Sequence, residues 1–306
     1  MDNVLVMMST YNGKKYLNAQ IESILNQKNV NVKLLVRDDG STDGTISILE
    51  QFINNKSFSF YSGSNLGYKK SFMNLLSYAD STYDYYAFAD QDDVWLNDKL
   101  ESAIKYLNID ENEGSKYDLY TSNITRVDAK LRFISQTKFE NIQFSVKKEV
   151  CHHKIPGCTF VFRKELFDKV KSSWKNNLNN CSHDEFVTMM CLLKGGKVLV
   201  DNKSHILFRR HSNNASVDGA TSVKKIWKEL SRFHKTSGEK GAYAKDIYRY
   251  YSREIVNKED LEIIKKFSDY QKSPKNTIGL FFSNIIDSGY WWYDCYLRLL
   301  ILCHRF

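Results

Sequence analysis

The 306-residue sequence contains only two prolines, Pro156 and Pro274, so no proline-rich linker divides the chain. It has no run of about 18 or more uncharged apolar residues, and we therefore expect no membrane-spanning helix. Its first residues, MDNVLVMMSTYNG, lack the basic start and the long apolar stretch of a signal peptide. Together these absences predict a cytoplasmic protein.

The sequence also lacks a Cys-x-x-Cys pair. Its six cysteines are Cys151, Cys158, Cys181, Cys191, Cys295 and Cys303. In a chain of this length without a signal peptide, this pattern predicts free thiols rather than disulfides. Hydrophobic residues make up 42% of the sequence and charged residues 26%, which excludes wholesale disorder. The formal net charge of +8 favours anionic partners only weakly.

The first hundred residues alternate between short apolar runs and segments with apolar residues at helical spacing. The predicted strands cover residues 3–8, 32–36, 58–61 and 85–89. Helices are predicted between them, and Ser41 or Thr42 is expected to cap the second. This alternation predicts an α/β protein with a mainly parallel sheet.

Beyond residue 110 the pattern becomes mixed. Further strands are predicted at 119–125, 160–162, 198–200 and 206–208, and a helix at 185–193. From about residue 220 the sequence is basic, helical and aromatic.

Polar clusters follow three of the predicted strands, where ligands bind in parallel α/β sheets. They are Thr10-Tyr11, Asp38-Asp39, and Asp90-Gln91-Asp92-Asp93. The last cluster packs three carboxylates into four residues, which repel each other unless a proton or cation is present. Oxygen ligands of this kind suit Mg²⁺ or Mn²⁺. The alternative interpretation is a solvated acidic turn before a helix.

Four motifs stand in order along this part of the chain. They are Ser9-Thr10-Tyr11-Asn12, Arg37-Asp38-Asp39-Gly40-Ser41-Thr42-Asp43, Asn65-Leu66-Gly67 and Asp90-Gln91-Asp92-Asp93-Val94-Trp95. Together they resemble family 2 glycosyltransferases, and Pro156-Gly157-Cys158, His183-Asp184 and Arg209-Arg210-His211-Ser212-Asn213-Asn214 extend the resemblance to about residue 215. The finer pattern is similar to the bacterial rhamnosyltransferase-like branch. The resemblance implies the GT-A fold, a Rossmann-like mixed and mainly parallel sheet, here with a C-terminal helical extension.

The resemblance also implies roles for single residues. Thr10 and Tyr11 would flank the nucleotide base, and Asp39 would hold its pyrimidine edge with Asp38 close by. Asp90 would lie near the ribose and diphosphate, and Gln91 would also belong to the donor-binding residues. Asp92 and His211 would hold the metal ion, and Asp184 would be the catalytic base.

The residues themselves leave two of these assignments open. Asp184 precedes an apolar helical stretch, so it is equally interpretable as a helix N-terminal acid stabilised by the dipole. His211, beside Arg209 and Arg210, is interpretable as a surface or capping histidine or as a group that faces a diphosphate.

The predicted protein is an inverting, metal-dependent glycosyltransferase that uses Mn²⁺ or Mg²⁺. Its expected donor is a nucleoside-diphosphate sugar, dTDP-rhamnose or a UDP-hexose, and its expected acceptor is a hydroxyl of a growing, lipid-linked bacterial surface polysaccharide. The alternative is a nucleotide-sugar pyrophosphorylase or another nucleotidyltransferase. Such enzymes usually have a glycine-rich loop after the first strand, but the sequence from Ser9 to Lys15 has only Gly13. Acidic strand ends argue against a nucleic-acid partner.

Three regions are predicted. Residues 1–100 form the nucleotide-binding half and 101–218 the acceptor-binding half of a catalytic domain, and residues 219–306 form a basic, aromatic helical region. Basic aromatic helices are typical of peripheral contact with a membrane, here its inner face, and also of helices packed on a catalytic domain. Both interpretations stay open.

Overall fold

The computed structural model describes residues 1–109, 115–174, 181–211 and 238–306. The chain divides into two compact units. Among the described residues, unit 1 contains 1–109, 115–143, 155–174 and 182–211, and unit 2 contains 144–154, 181 and 238–306. The predicted domain boundary between residues 218 and 219 lies outside the described residues, as does Ser212-Asn213-Asn214.

Unit 1 is built on one mixed sheet, to which the described residues contribute nine strands. These are β1 (Asp2–Thr10), β2 (Val30–Asp38), β3 (Phe58–Ser62), β4 (Tyr85–Ala89), β5 (Val94–Trp95), β6 (Leu119–Val127), β7 (Phe133–Thr137), β8 (Val161–Arg163) and β9 (Val198–Arg209). Their order is β3-β2-β1-β4-β8-β6-β9-β5, with β7 beside β6. The first four strands in this order are parallel, whereas β8 is antiparallel to both its neighbours. The predicted α/β class and mixed sheet are confirmed.

Six helices of unit 1 belong to the described residues: α1 (Leu17–Leu25), α2 (Thr45–Gln51), α3 (Tyr68–Tyr78), α4 (Lys99–Asn108), α6 (Lys164–Ser173) and α7 (His183–Leu193). Strand β4 and residues 4–8 of β1 are buried along their length, as expected for central parallel strands that helices cover on both faces. Helix α1 buries Leu17, Ile21 and Ile24, which recur at helical spacing.

Two local predictions were wrong. The residue before α2 is Gly44 rather than Ser41 or Thr42. The Ser41 hydroxyl instead accepts the main-chain N–H of Asn12, which ties the loop after β2 to the loop after β1. The two strands predicted at 198–200 and 206–208 are one strand, β9, whose pairing with β6 shifts register where its sequence is polar.

Unit 2 is helical in its described residues, as the sequence predicts. It contains α5 (Val146–Cys151), α8 (Glu239–Tyr251), α9 (Lys258–Asp269), α10 (Pro274–Phe281) and α11 (Trp291–Leu302). The C-terminal Phe306 is buried, stacks on Phe267 at 5.2 Å and accepts the main-chain N–H of Gly241. All six cysteines belong to the described residues and none of them forms a disulfide, as predicted. Within the described ranges, no helix is long and apolar enough to cross a membrane.

Candidate active site

The predicted site residues from the first hundred positions meet at one edge of the sheet. Strands β1, β2 and β4 are parallel neighbours, with Thr10 opposite Asp38 and Met8 opposite Ala89. The polar loops that follow these strands therefore lie side by side. Asp90 is the first residue after β4.

Gln91 fixes the loop after β1. Its side-chain oxygen accepts the Thr10 hydroxyl at 2.6 Å and the Tyr11 main-chain N–H at 2.9 Å, and its nitrogen donates to the Tyr11 carbonyl at 3.1 Å. A β-carbon on Gly13 would come within 2.4 Å of the Gln91 oxygen, so a side chain at this position would displace the Gln91 amide. Thr10 is buried, but the Tyr11 ring remains exposed. Gln91 thus positions an aromatic face at the mouth of the site.

Both carboxylates after β2 are buried and hold main-chain groups. Asp38 accepts the N–H groups of Gly40 and Ser41, which stabilises the turn after the strand. Asp39 accepts the N–H groups of Leu66 at 2.8 Å and Gly67 at 2.9 Å. Asp39 is therefore a fixed anion between two loops of the site.

Arg37 is a site residue that the sequence motif contained but to which we assigned no role. It is buried, pairs with Asp39, and donates to the Ser71 hydroxyl at 2.8 Å and the Asn74 side-chain oxygen at 3.1 Å. Its position at the end of an apolar strand was the available signal, because a buried arginine requires an anionic partner.

Asp92 and Asp184 both act electrostatically on Asp90. Burial, followed by the negative charges of Asp92 and Asp184, raises the pKa of Asp90 to about 7. Asp184, which is 94 positions further along the chain, therefore lies in the electrostatic neighbourhood of the acidic loop.

Asp184 lies in the first turn of α7. Ser182 and Glu185 form a reciprocal capping box there, with the Ser182 N–H donating to Glu185 at 2.8 Å. One oxygen of Asp184 accepts the Ser182 hydroxyl and the Glu185 N–H. Asp184 is thus a helix N-terminal acid and also a neighbour of Asp90, so the two sequence-based interpretations are compatible.

Gly157 allows the Pro156-Gly157-Cys158 segment to approach α7. A β-carbon at this position would lie 2.6 Å from His183 Nε2 and 3.2 Å from the Asp184 β-carbon. His183 is buried and stacks on Phe72 with 3.9 Å between ring centroids. The start of α7 is therefore closely packed beneath Asp184.

His211 lies two residues after the end of β9 and contacts the acidic loop. His211 Nε2 lies 2.7 Å from Asp92 Oδ2, and both side chains are 16% exposed. The His211 ring also packs against Tyr16, with 5.0 Å between centroids. Arg209 donates its main-chain N–H to Asp93 and its Nε to the Asp92 carbonyl, so it fastens the end of β9 to this loop.

Two sets of residues offer metal ligands. Among the described residues, the ligand atoms of Asp90, Asp93 and Cys158 lie within 4.8 Å of one another. Asp93 is fully buried, and burial raises the pKa of the Cys158 thiol, which disfavours the thiolate that binds metals. Asp92 and His211 approach each other and are partly exposed, so they are a second candidate pair of metal ligands.

A buried lysine, absent from the sequence-based list, lies behind the acidic loop. Lys99 is fully buried, and its ammonium lies 3.9 Å from the centroid of the Trp95 ring. Burial lowers its pKa to about 7. Lys99 reads in the sequence as an ordinary residue of the first helical turn, so no signal marked it.

Sequence comparison identifies relatives over most of the chain. The family profile described as "Glycosyl transferase family 2" matches residues 5–170. The dTDP-rhamnosyl transferase RfbG of Shigella flexneri is 32% identical over 242 residues, which are 73% of this chain and 78% of that protein. An Escherichia coli protein, the UDP-Glc:alpha-D-GlcNAc-diphosphoundecaprenol beta-1,3-glucosyltransferase WfgD, is 33% identical over 109 residues, or 35% of this chain and 42% of that protein.

Structure comparison supports the fold. The S. aureus TarS 1-349 structure has a TM-score of 0.58 at 18% identity, and the match covers 99% of this chain and 87% of that one. Against the longer TarS structure, the match spans about half, 52%, of that chain. The neighbouring fold is GT-A, as predicted. With its ordered motifs, its sheet and the family match, this chain belongs to glycosyl transferase family 2 and is a glycosyltransferase.

Proposed function

We propose that the protein is an inverting glycosyltransferase. It moves a sugar from a nucleoside-diphosphate donor to a hydroxyl of a growing, lipid-linked bacterial surface polysaccharide. The observation that supports this most directly is the electrostatic effect of Asp184 on Asp90, because it brings a base candidate to the donor motif.

The nucleotide end of the proposed site is formed by Tyr11 and Asp39. The exposed ring of Tyr11 offers a stacking face for a base, and Asp39 is an immobile acceptor that can bind the N–H of a pyrimidine edge. RfbG is named for dTDP-rhamnosyl transfer and WfgD for UDP-Glc, and S. aureus TarS 1-349, which shares the fold, forms a complex with UDP-GlcNAc; all three donors contain a pyrimidine. We favour dTDP-rhamnose, because RfbG matches most of this chain.

Different residues of the chain have different roles in the proposed reaction. Asp92 and His211 would hold Mn²⁺ or Mg²⁺, which supplies positive charge to the departing diphosphate. Asp184 takes the proton from the acceptor hydroxyl as that oxygen attacks the anomeric carbon, and the bond from this carbon to the diphosphate oxygen breaks. The reaction inverts the anomeric centre through a transition state that resembles an oxocarbenium ion. The capping contacts of Asp184 hold its carboxylate in one orientation for this transfer.

The proposed acceptor follows from a relative. The name of WfgD describes a sugar on a lipid diphosphate, alpha-D-GlcNAc-diphosphoundecaprenol, as its acceptor. An enzyme with such an acceptor works at a membrane, and we propose peripheral contact at the inner face. We also propose that the catalytic domain comprises residues 1–218 and that residues 219–306 form the helical C-terminal region.

The nucleotidyltransferase alternative loses its support, because the family match covers the donor motifs themselves. A panel of nucleoside-diphosphate sugars with Mn²⁺, followed by mass spectrometry, tests the function. We expect slow hydrolysis of dTDP-rhamnose to rhamnose and dTDP without an acceptor. Release of pyrophosphate from a nucleoside triphosphate, with no hydrolysis of any donor, would contradict the proposal.

A further inference from the structure

One face of α11 is apolar and exposed. Trp291 is 79% exposed, Leu299 52% and Leu302 46%, and Cys295 is also exposed. These residues follow one another at intervals of four, four and three, so they lie along one side of the helix. The opposite side is buried by Tyr296, Leu297, Leu300 and Ile301. Helix α11 therefore has more apolar surface than packing within the described chain covers.

Helix α10 extends this surface. Phe282, just after α10, is 78% exposed, and Ile278 is 54% exposed. Arg298 of α11 donates to the carbonyls of Phe281 and Ser283, on either side of Phe282. Because Arg298 lies one turn from Cys295 and Leu302, Phe282 is held beside the exposed side of α11. We call Ile278, Phe282, Trp291, Leu299 and Leu302 the α10–α11 face.

The charges around this face suit an anionic surface. Lys275 on α10 is exposed, and the Lys154 ammonium lies 4.5 Å from the centroid of the Tyr290 ring. Asp287 precedes α11 and Asp294 belongs to it, and both carboxylates are already engaged. Asp287 lies 3.4 Å from Lys147 and 3.7 Å from Lys148, and Asp294 accepts the Ser288 N–H at 2.6 Å.

We propose that the α10–α11 face lies on an anionic lipid bilayer, with its aromatic rings at the level of the headgroups. Aromatic and leucine side chains bordered by lysine or arginine are typical of helices that lie in the membrane interface. A helix of twelve residues such as α11 fits the plane of the membrane rather than its depth. The inference deepens the proposed lipid-linked acceptor, but lipid binding itself requires neither donor nor metal.

Flotation of the full-length protein with vesicles tests this inference separately from catalysis. We expect binding to vesicles of equal parts phosphatidylglycerol and phosphatidylethanolamine, and weak binding to phosphatidylcholine alone. The double variant Phe282→Ala/Trp291→Ala is expected to lose at least about tenfold in affinity, because two large apolar side chains no longer leave water. Phe133→Ala is the matched control, since Phe133 is 71% exposed on unit 1.

All these variants are expected to hydrolyse the donor in solution at the wild-type rate. If the double variant does not fold, Leu299→Gln and Leu302→Gln replace it with the same expected loss of lipid binding. Wild-type flotation of the variants would overturn the proposal. So would a dimer that the substitutions dissociate, without a change in lipid binding, because the face would then cover a second copy of the chain.

Discussion

His211 Nε2 lies 2.7 Å from Asp92 Oδ2, although the two residues are 119 positions apart in sequence. Arg209, two residues before His211, also binds the loop that contains Asp92, through its main-chain N–H and its Nε. A strand from the second half of unit 1 thereby completes an acidic loop from the first half. The proposed metal site is thus a product of tertiary structure rather than of one motif.

Removing either member of this pair is expected to weaken metal-dependent donor binding. Asp92→Ala and His211→Ala each delete a proposed ligand, and we expect at least about tenfold weaker apparent Mn²⁺ affinity. Calorimetric titration of Mn²⁺ in the presence of nucleotide measures this. His304→Ala, which removes an exposed histidine of unit 2, is the control. Full transferase activity in excess chelator would show that the metal assignment is wrong.

Metal binding is expected to depend on pH through Asp90. Burial and the charges of Asp92 and Asp184 raise its pKa to about 7, so protons compete with a cation for the acidic cluster below that pH. We expect Mn²⁺ affinity to fall by up to about tenfold per pH unit from pH 7 to 5 and to change little above pH 7.

The stability of the metal-free protein is expected to change with pH in the opposite direction to the Mn²⁺ affinity. The reason is that the folded state binds the Asp90 proton more tightly than the unfolded chain does. The contribution of Asp90 to the free energy of unfolding is fully present below its usual pKa of 3.8 and is lost as the pH rises to about 7. Asp90→Asn is expected to remove both effects. A pH-independent Mn²⁺ affinity in the wild type would contradict this account.

His205 is expected to stabilise unit 1 mainly in its charged form. Burial lowers its pKa, but Asp201 and Asp98, each 3.0 Å from one ring nitrogen, outweigh this effect and raise the pKa above its usual 6.5. Its contribution is therefore fully present below pH 6.5 and is lost as the pH rises through the raised value. His205→Gln is expected to cost about 1–3 kcal/mol at pH 6 and less at pH 9. Urea unfolding at both pH values measures this, and an equal loss at both would refute the charged form.

The buried pair of Arg37 and Asp39 is expected to stabilise the fold of unit 1. Arg37→Met leaves the Asp39 carboxylate buried beside an apolar side chain, and we expect a loss of about 3–5 kcal/mol in the free energy of unfolding. Arg37→Met/Asp39→Asn removes both charges and is expected to recover part of that loss. Denaturant unfolding of the two variants gives the comparison. If the double variant is no more stable than the single one, the pair does not act as a buried ion pair.

The sequence predicts the first half of the sheet well, because β1, β2 and β4 are apolar runs that end in polar clusters. The sequence-based prediction fails where polar residues belong to strands or form hydrogen bonds between loops. The polar middle of β9 hides one long strand, and Ser41 resembles a helix cap although it binds Asn12. The burial of Arg37 and Lys99 is also not predictable from the sequence, because charged residues are usually exposed.

The meeting of distant side chains is a second limit. Periodicity alone does not relate Asp184 to Asp90, because the path between them passes through irregular loops. The family resemblance supplied that assignment, and the electrostatic coupling of the two carboxyls agrees with it. The exposed side of α11 is likewise beyond sequence patterns, since its apolar residues surround the helix on all sides.

The turnover of Asp184→Asn with the identified donor tests the central claim most directly. We expect donor affinity close to that of the wild type and transfer slower by about 10²-fold or more, because the amide cannot accept the acceptor's proton. Glu185→Gln, at the next position of α7, keeps the capping contact and is expected to retain activity. Near-normal transfer by Asp184→Asn would contradict the assigned base and the mechanism built on it.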